Sequence, residues 1–159
     1  MNQKELKAIL SYNQETGIFT WIARKGNVRS GSVAGNAEAR GYRSIAINRK
    51  RYREHRLAWL YVYGEWPKKN LDHINCIRDD NRIVNLREAD QARNVLNASL
   101  RKDNSSGVKG VVKAKGRWRA CIYINRKFIH LGYYDDVKEA EIVMREARIK
   151  HHGEFANHG

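Results

Sequence analysis

The clearest pattern in the chain is an alternation near its C-terminal end. Trp118, Ala120, Ile122 and Ile124 would share one face of a strand, and Arg117, Arg119, Cys121 and Tyr123 the other. Flanking runs at Val108 to Lys113 and Lys127 to Leu131 predict two more strands. A helical period follows from Asp136 to about Lys150, with Val137, Ala140, Met144 and Ala147 as its apolar stripe. These residues predict a small three-stranded antiparallel sheet with a basic outer face, packed on one helix. The stretch from Ala98 to Gly107 is polar and aperiodic and reads as a linker.

The N-terminal part mixes short elements. Glu5 to Tyr12 predicts a helix and Gly17 to Ile22 a strand; residues 24–41, with four glycines, read as loop. Tyr42 to Asn48 and Arg51 to Glu54 predict a hairpin across Asn48-Arg49-Lys50. His55 to Tyr63 predicts a helix, with Leu57, Leu60 and Tyr61 on one face and Gly64 as its stop. Leu71 to Ile74 is strand-like, a polar loop runs to about Val84, and Arg87 to Leu96 predicts a helix. The expected class is α+β, with one domain over residues 1–98, a linker over 99–106 and a second domain over 107–157.

Charge sharpens this picture. The 159 residues hold 31 Lys and Arg against 17 Asp and Glu, a net charge of +14. The excess is +8 before residue 99 and +6 after it, so it is not a basic tail. A chain this basic calls for a polyanionic partner, of which nucleic acid is the commonest. Mean hydropathy is -0.74 and no apolar run nears the ~20 residues that span a bilayer, so no membrane partner is expected. The start, MNQKELKAILSYNQ, has neither the apolar core nor the cleavage site of a secretory signal. Cys76 and Cys121 are not in a paired spacing, so free thiols and no structural zinc are expected, in a reducing cytoplasm.

Chemistry concentrates in residues 72–94, DHINCIRDDNRIVNLREADQARN. Asp72-His73 closes the strand-like run, Asn85 follows His73 by twelve positions, and Asn94 follows Asn85 by nine. With His55-Arg56-Leu57 ahead of it, this pattern resembles the HNH nuclease family with its ββα-metal fold, in the phage and homing-type branch. The likeness spans most of residues 15–97. It implies metal-dependent hydrolysis of phosphodiester bonds in double-stranded DNA. His73 would activate the water, Asp72 and Asn94 would hold a divalent metal, and Asn85 would brace the loop that aims His73. Neutral histidine suits a general base near pH 7. Oxygen ligands suit a hard cation, magnesium with manganese as the alternative. Two departures stand out: Cys76 occupies a position often held by glycine, and the last letter of the motif is Asn. His55 reads as a brace for its helix, Asp79, Asp80 and Asn81 as turn residues, and Trp21, Trp59 and Trp66 as core.

Residues 105–157 carry Gly107-Val108-Lys109-Gly110-Val111, Gly116-Arg117-Trp118-Arg119-Ala120 and His130-Leu131-Gly132-Tyr133-Tyr134-Asp135 ahead of a helix with Glu139-Ala140. They resemble the DNA-binding domain of plant ethylene-response factors, which lays its sheet in the major groove. The contact candidates are Lys109, Lys113, Lys115, Arg117, Arg119, Tyr123, Arg126, Lys127 and His130. Lys109, Val112 and His130 stand where the family uses Arg, Arg and Trp, so no base preference carries over. Two functions are expected to compete: a DNA endonuclease, phage-encoded and acting in a bacterial host cytoplasm, and a non-catalytic DNA-binding or regulatory protein that keeps the HNH scaffold.

Overall fold

Two separate hydrophobic cores organise the chain in the computed structural model, which describes all residues except 25–27, 91–96, 98–99, 125–126 and 159, and the side chain of residue 154. One unit runs from Met1 to Gln91 and the other from Ala92 to Gly159. Both are mixed α+β, and the described residues form three α-helices and four small sheets.

In the first unit, α1 (Gln3–Ile9) opens on a capping box: the Asn2 side chain accepts from Glu5 N and the Glu5 carboxylate from Asn2 N. The helix stops at Ile9, short of the expected Tyr12. Leu10–Tyr12 instead forms β1, antiparallel to β2 (Phe19–Trp21). Leu10 and Phe19 are thereby fully buried. The glycine-rich stretch expected as loop holds a two-residue strand, β3 (Asn36–Ala37), paired with β4 (Arg43–Ile47). β4 pairs in turn with β5 (Lys50–Arg53). Their turn is the two residues Asn48 and Arg49, with φ of 49° and 63°, the signature of the tight mirror-image hairpin turn. Lys50 therefore belongs to the strand.

β5 runs directly into α2 (Glu54–Tyr63), which ends on Gly64 at φ 81°, a left-handed cap. Leu57 and Leu60 pack into the core with Leu6, Leu10, Ile45 and Leu86; Tyr61 is only half-buried against it. Trp21, Trp59 and Trp66 lean on the same core, half-buried.

β6 (Asn70–His73) pairs antiparallel with β7 (Leu86–Ala89), setting His73 opposite Leu86 and Asp72 opposite Arg87. This corrects the expected helix from Arg87: its first residues are strand, and 91–96 lie outside the described residues. Arg, Glu and Ala favour helix. Pairing with β6 overrides that preference, aided by the Glu88 carboxylate accepting from Lys68 N and Lys69 N.

The second unit is the order β8 (Val111–Ala114), β9 (Arg117–Ile124), β10 (Lys127–Tyr134), all antiparallel, with α3 (Val137–His152) on one face. β8 starts later than expected, because Gly110 takes φ 79° and lies against Met144 and the Cys121 carbonyl. Asp136 caps α3 by accepting from Lys138 N. Trp118, Ala120, Ile122 and Ile124 face Ala140 and Met144, as the alternation predicts. The stretch read as linker is not featureless: the Asn104 amide donates to Val108 O, and the Ser106 hydroxyl reaches Val108 O and Val111 O.

Candidate active site

β6 ends on the residues singled out by the motif. Strand alternation turns His73 inward, where it is 5% exposed, and leaves its neighbour Asp72 half-buried on the other side. The Asp72 carboxylate meets Arg87 across the strand pair: Arg87 Nε and Nη2 lie 3.0 and 2.9 Å from Oδ2. Both nitrogens converge on one oxygen.

The loop from Ile74 to Arg82 is tied by Asn85, itself buried. Its Oδ1 accepts from Asn75 N at 3.0 Å. Its Nδ2 donates to Asn75 Oδ1 at 2.9 Å and to Asp80 O at 2.8 Å. The Ile74 N–H donates to Asn85 O. Asn85 thus ties Asn75 near the start of the loop to Asp80 near its end. Cys76 sits at φ 61°, so the position where glycine is common does require the left-handed region, and here cysteine adopts it. Asp80 performs the expected turn chemistry, accepting from Arg82 at 2.7 and 2.5 Å, and this pairing holds its carboxyl down at about 2.

Asn81 does something else. It is 1% exposed, and its Oδ1 lies 3.2 Å from His73 Nε2. Its Nδ2 donates to Glu54 Oε2 at 3.3 Å. Glu54, the first residue of α2 and 1% exposed, is paired with Arg43, whose Nε is 3.2 and 3.1 Å from the two carboxylate oxygens. Burial pushes the Glu54 carboxyl up, and Arg43 opposes that shift. Nothing in the sequence flags Glu54, and Asn81 was expected to be a turn residue. The sole signal is that an Asn within a polar loop, unlike its Asp and Arg neighbours, carries both a donor and an acceptor.

Aromatic rings wall the histidine. His55 stands edge-on to His73 with ring centroids 5.2 Å apart, and Tyr42 lies 5.4 Å from His55 and 6.0 Å from His73. His55, on α2, is thus in ring contact with His73 on β6. Burial, with His73 beside it, pushes the His55 imidazole down to about 3. Burial also lowers His73, against the pull of its Asn81 bond and of Asp72, so the ring is neutral near pH 7. The Arg53 and Arg78 guanidiniums sit over the Tyr42 ring at 4.9 and 5.2 Å.

Asn94, the second expected metal ligand, lies outside the described residues. Among the described residues no three His, Cys, Asp or Glu side chains cluster as a metal group. Asp72 offers a carboxylate oxygen at this end of β6, the type of donor a hard divalent cation takes.

In the second unit, Arg117, Arg119, Tyr123 and His130 fall on the sheet face turned away from α3. Arg117 is engaged with Asp135 at 2.7 Å. Lys113 pairs in register with Trp118 and lies over its ring, on the helix side. Lys127 is opposite Ile124, also on that side. Lys115 is exposed in the turn with Gly116, and the Lys109 carbonyl accepts from Arg148. Arg126 lies outside the described residues. The outward face is more aromatic than basic patterning predicts: Phe128 is 78% exposed and meets Tyr123, and Tyr133 meets His130.

Residues 52–96 match the family model described as HNH endonuclease. The matched segment spans β5 through β7 and contains Asp72, His73, Asn81 and Asn85. This part of the chain is similar to HNH endonucleases. No curated protein and no solved structure matches the chain. No helix among the described residues is long and apolar enough to cross a membrane.

Proposed function

We propose that the protein is a metal-dependent DNA endonuclease of the ββα-metal type, whose second unit anchors it to double-stranded DNA. One observation carries the reading: within the HNH-matched segment, a buried neutral histidine is fixed by a side-chain hydrogen bond beside a strand-end carboxylate. In this account His73 accepts the proton of a water that attacks phosphorus. Asp72 and Asn94 would hold the cation, magnesium or manganese, and the bound cation would neutralise charge on the departing oxygen. Asn85 keeps the loop in place. Arg119, Tyr123 and His130 on the outward sheet face would meet DNA, in the manner of an ethylene-response-factor domain. A phage origin and action in a host cytoplasm fit the homing-type resemblance.

The test is relaxation of supercoiled plasmid with magnesium or manganese, and its arrest by a chelator. A second reading, a DNA-binding protein that keeps the scaffold without cutting, draws on the Asp72–Arg87 pair, which already neutralises the carboxylate. Tight DNA binding with no nicking in either metal would favour it.

A further inference from the structure

We infer that Asn81, Glu54 and Arg43 form a positioning relay that fixes the His73 imidazole as its Nε2–H tautomer, making Nδ1 the atom that takes the water proton. The inference rests on the nuclease reading for the use of that proton, but the tautomer follows from hydrogen-bond logic alone.

The chain of constraint starts at Arg43. Its Nε reaches both oxygens of Glu54, and its Nη2 reaches the carbonyls of Ala34 and Gly35 at 3.3 and 3.4 Å. Every partner of Arg43 is an acceptor, so Glu54 presents lone pairs. A carboxylate so held can only accept. The Asn81 atom at 3.3 Å from Glu54 Oε2 must then be the amide nitrogen, and Oδ1 must face His73. An amide oxygen can only accept, so His73 Nε2 must carry the hydrogen. A neutral imidazole has one N–H, which puts the lone pair on Nδ1.

The surroundings hold the relay in place. Tyr12 Oη donates to Asn81 O at 2.7 Å. A Cβ on Gly17 would lie 2.7 Å from the Asn81 carbonyl carbon, so this glycine lets the Asn81 backbone pack close. A Cβ on Gly35 would run into Glu54 Oε1 and come within 2.8 Å of Ser44 O. Two glycines at left-handed φ, 73° and 82°, thus clear the space the relay occupies. An asparagine buried for turn geometry alone would need none of this.

The experiment is histidine-selective nitrogen-15 NMR of the full chain at pH 8, with DNA cleavage measured in parallel. The relay predicts that His73 in the wild type shows one tautomer, with Nε2 protonated and Nδ1 pyridine-like. Asn81→Asp should set two carboxylates against each other, drive the residue 81 side chain off His73 Nε2 so that the single tautomer is lost, and lower kcat about 10- to 100-fold with KM for DNA little changed. The double variant Asn81→Asp with Glu54→Gln reverses donor and acceptor across the pair, and should restore both the tautomer and most of kcat. A merely structural role would move stability and leave the His73 tautomer unchanged in the single variant. A mixed or Nδ1-protonated His73 in the wild type overturns the relay even if every variant unfolds, and leaves the nuclease reading intact if the wild type cuts. A fixed Nε2–H tautomer in a protein that never cuts would overturn the catalytic use of Nδ1 together with the nuclease reading.

Discussion

Replacing Asn85 tests the loop architecture most sharply, because its side chain makes three hydrogen bonds from a site only 6% exposed. Asn85→Ala removes all three. At about 1 kcal/mol each the loss would be roughly 3 kcal/mol, but Asn75 is exposed and water replaces part of its share. About 2 kcal/mol is the expected cost. For a unit of this size each kcal/mol moves the melting midpoint by roughly 4–8 °C, so the first unit should melt about 8–16 °C lower. Asn85→Asp is nearly isosteric, yet it sets an oxygen against Asn75 Oδ1 and Asp80 O, so it should do no better than alanine. Activity should fall further than stability implies. The loop carries Asn81, and a displacement of about 1 Å at a catalytic group can cost roughly 100-fold. The assay pairs thermal denaturation followed by circular dichroism with plasmid nicking below the melting range. Wild-type midpoint and nicking in both variants would refute the reasoning.

Gly35→Ala should destabilise by about 2–3 kcal/mol and Gly31→Ala by about 1 kcal/mol in urea denaturation. Both glycines sit at left-handed φ, 82° and 79°, but only the first has Glu54 and Ser44 in the way. Equal destabilisation would show that the Glu54 contact is inconsequential. The His55 imidazole is pushed down to about 3, so below its ordinary value of 6.5 the unfolded chain binds the proton first. Stability is therefore lost as pH falls from about 6.5 towards 3, by roughly 1.4 kcal/mol per pH unit from this group. His55→Phe should flatten that part of the stability curve, and an unchanged slope would contradict the burial argument. Deleting residues 99–159 should cost most of the DNA affinity and reduce the slope of log K against log salt by roughly 0.9 for each phosphate no longer neutralised. An unchanged slope would assign binding to the seven basic residues of 40–56 instead.

Much of the fold was legible because alternation is a local signal. The 118–124 pattern gives β9 its faces, and the α3 stripe follows from periodicity alone. Strand stands at Arg87–Ala89 where the sequence predicts helix, because local and tertiary preferences conflict there: Arg87 and Glu88 favour helix, but Arg87 finds Asp72 on β6 and Glu88 the Lys68–Lys69 backbone just before it. The candidate site was legible only in part for a related reason. Asp72, His73 and Asn85 lie in one short segment with characteristic spacing. Glu54, Asn81 and Arg43 meet only because β4, α2 and the 74–82 loop fold together. Each reads alone as an ordinary surface or turn residue. Charge counting describes only part of the outward sheet face, where Arg117 is paired with Asp135 and Phe128 and Tyr133 lie exposed.

The central claim is that His73 is the general base of a DNA-cutting site. Its most direct test is single-turnover cleavage of supercoiled plasmid in magnesium by the wild type and His73→Ala, with DNA affinity measured on the same preparations. The account predicts wild-type nicking, a loss of about 10²- to 10⁴-fold in the variant, and unchanged affinity. Cleavage by His73→Ala at the wild-type rate would contradict it.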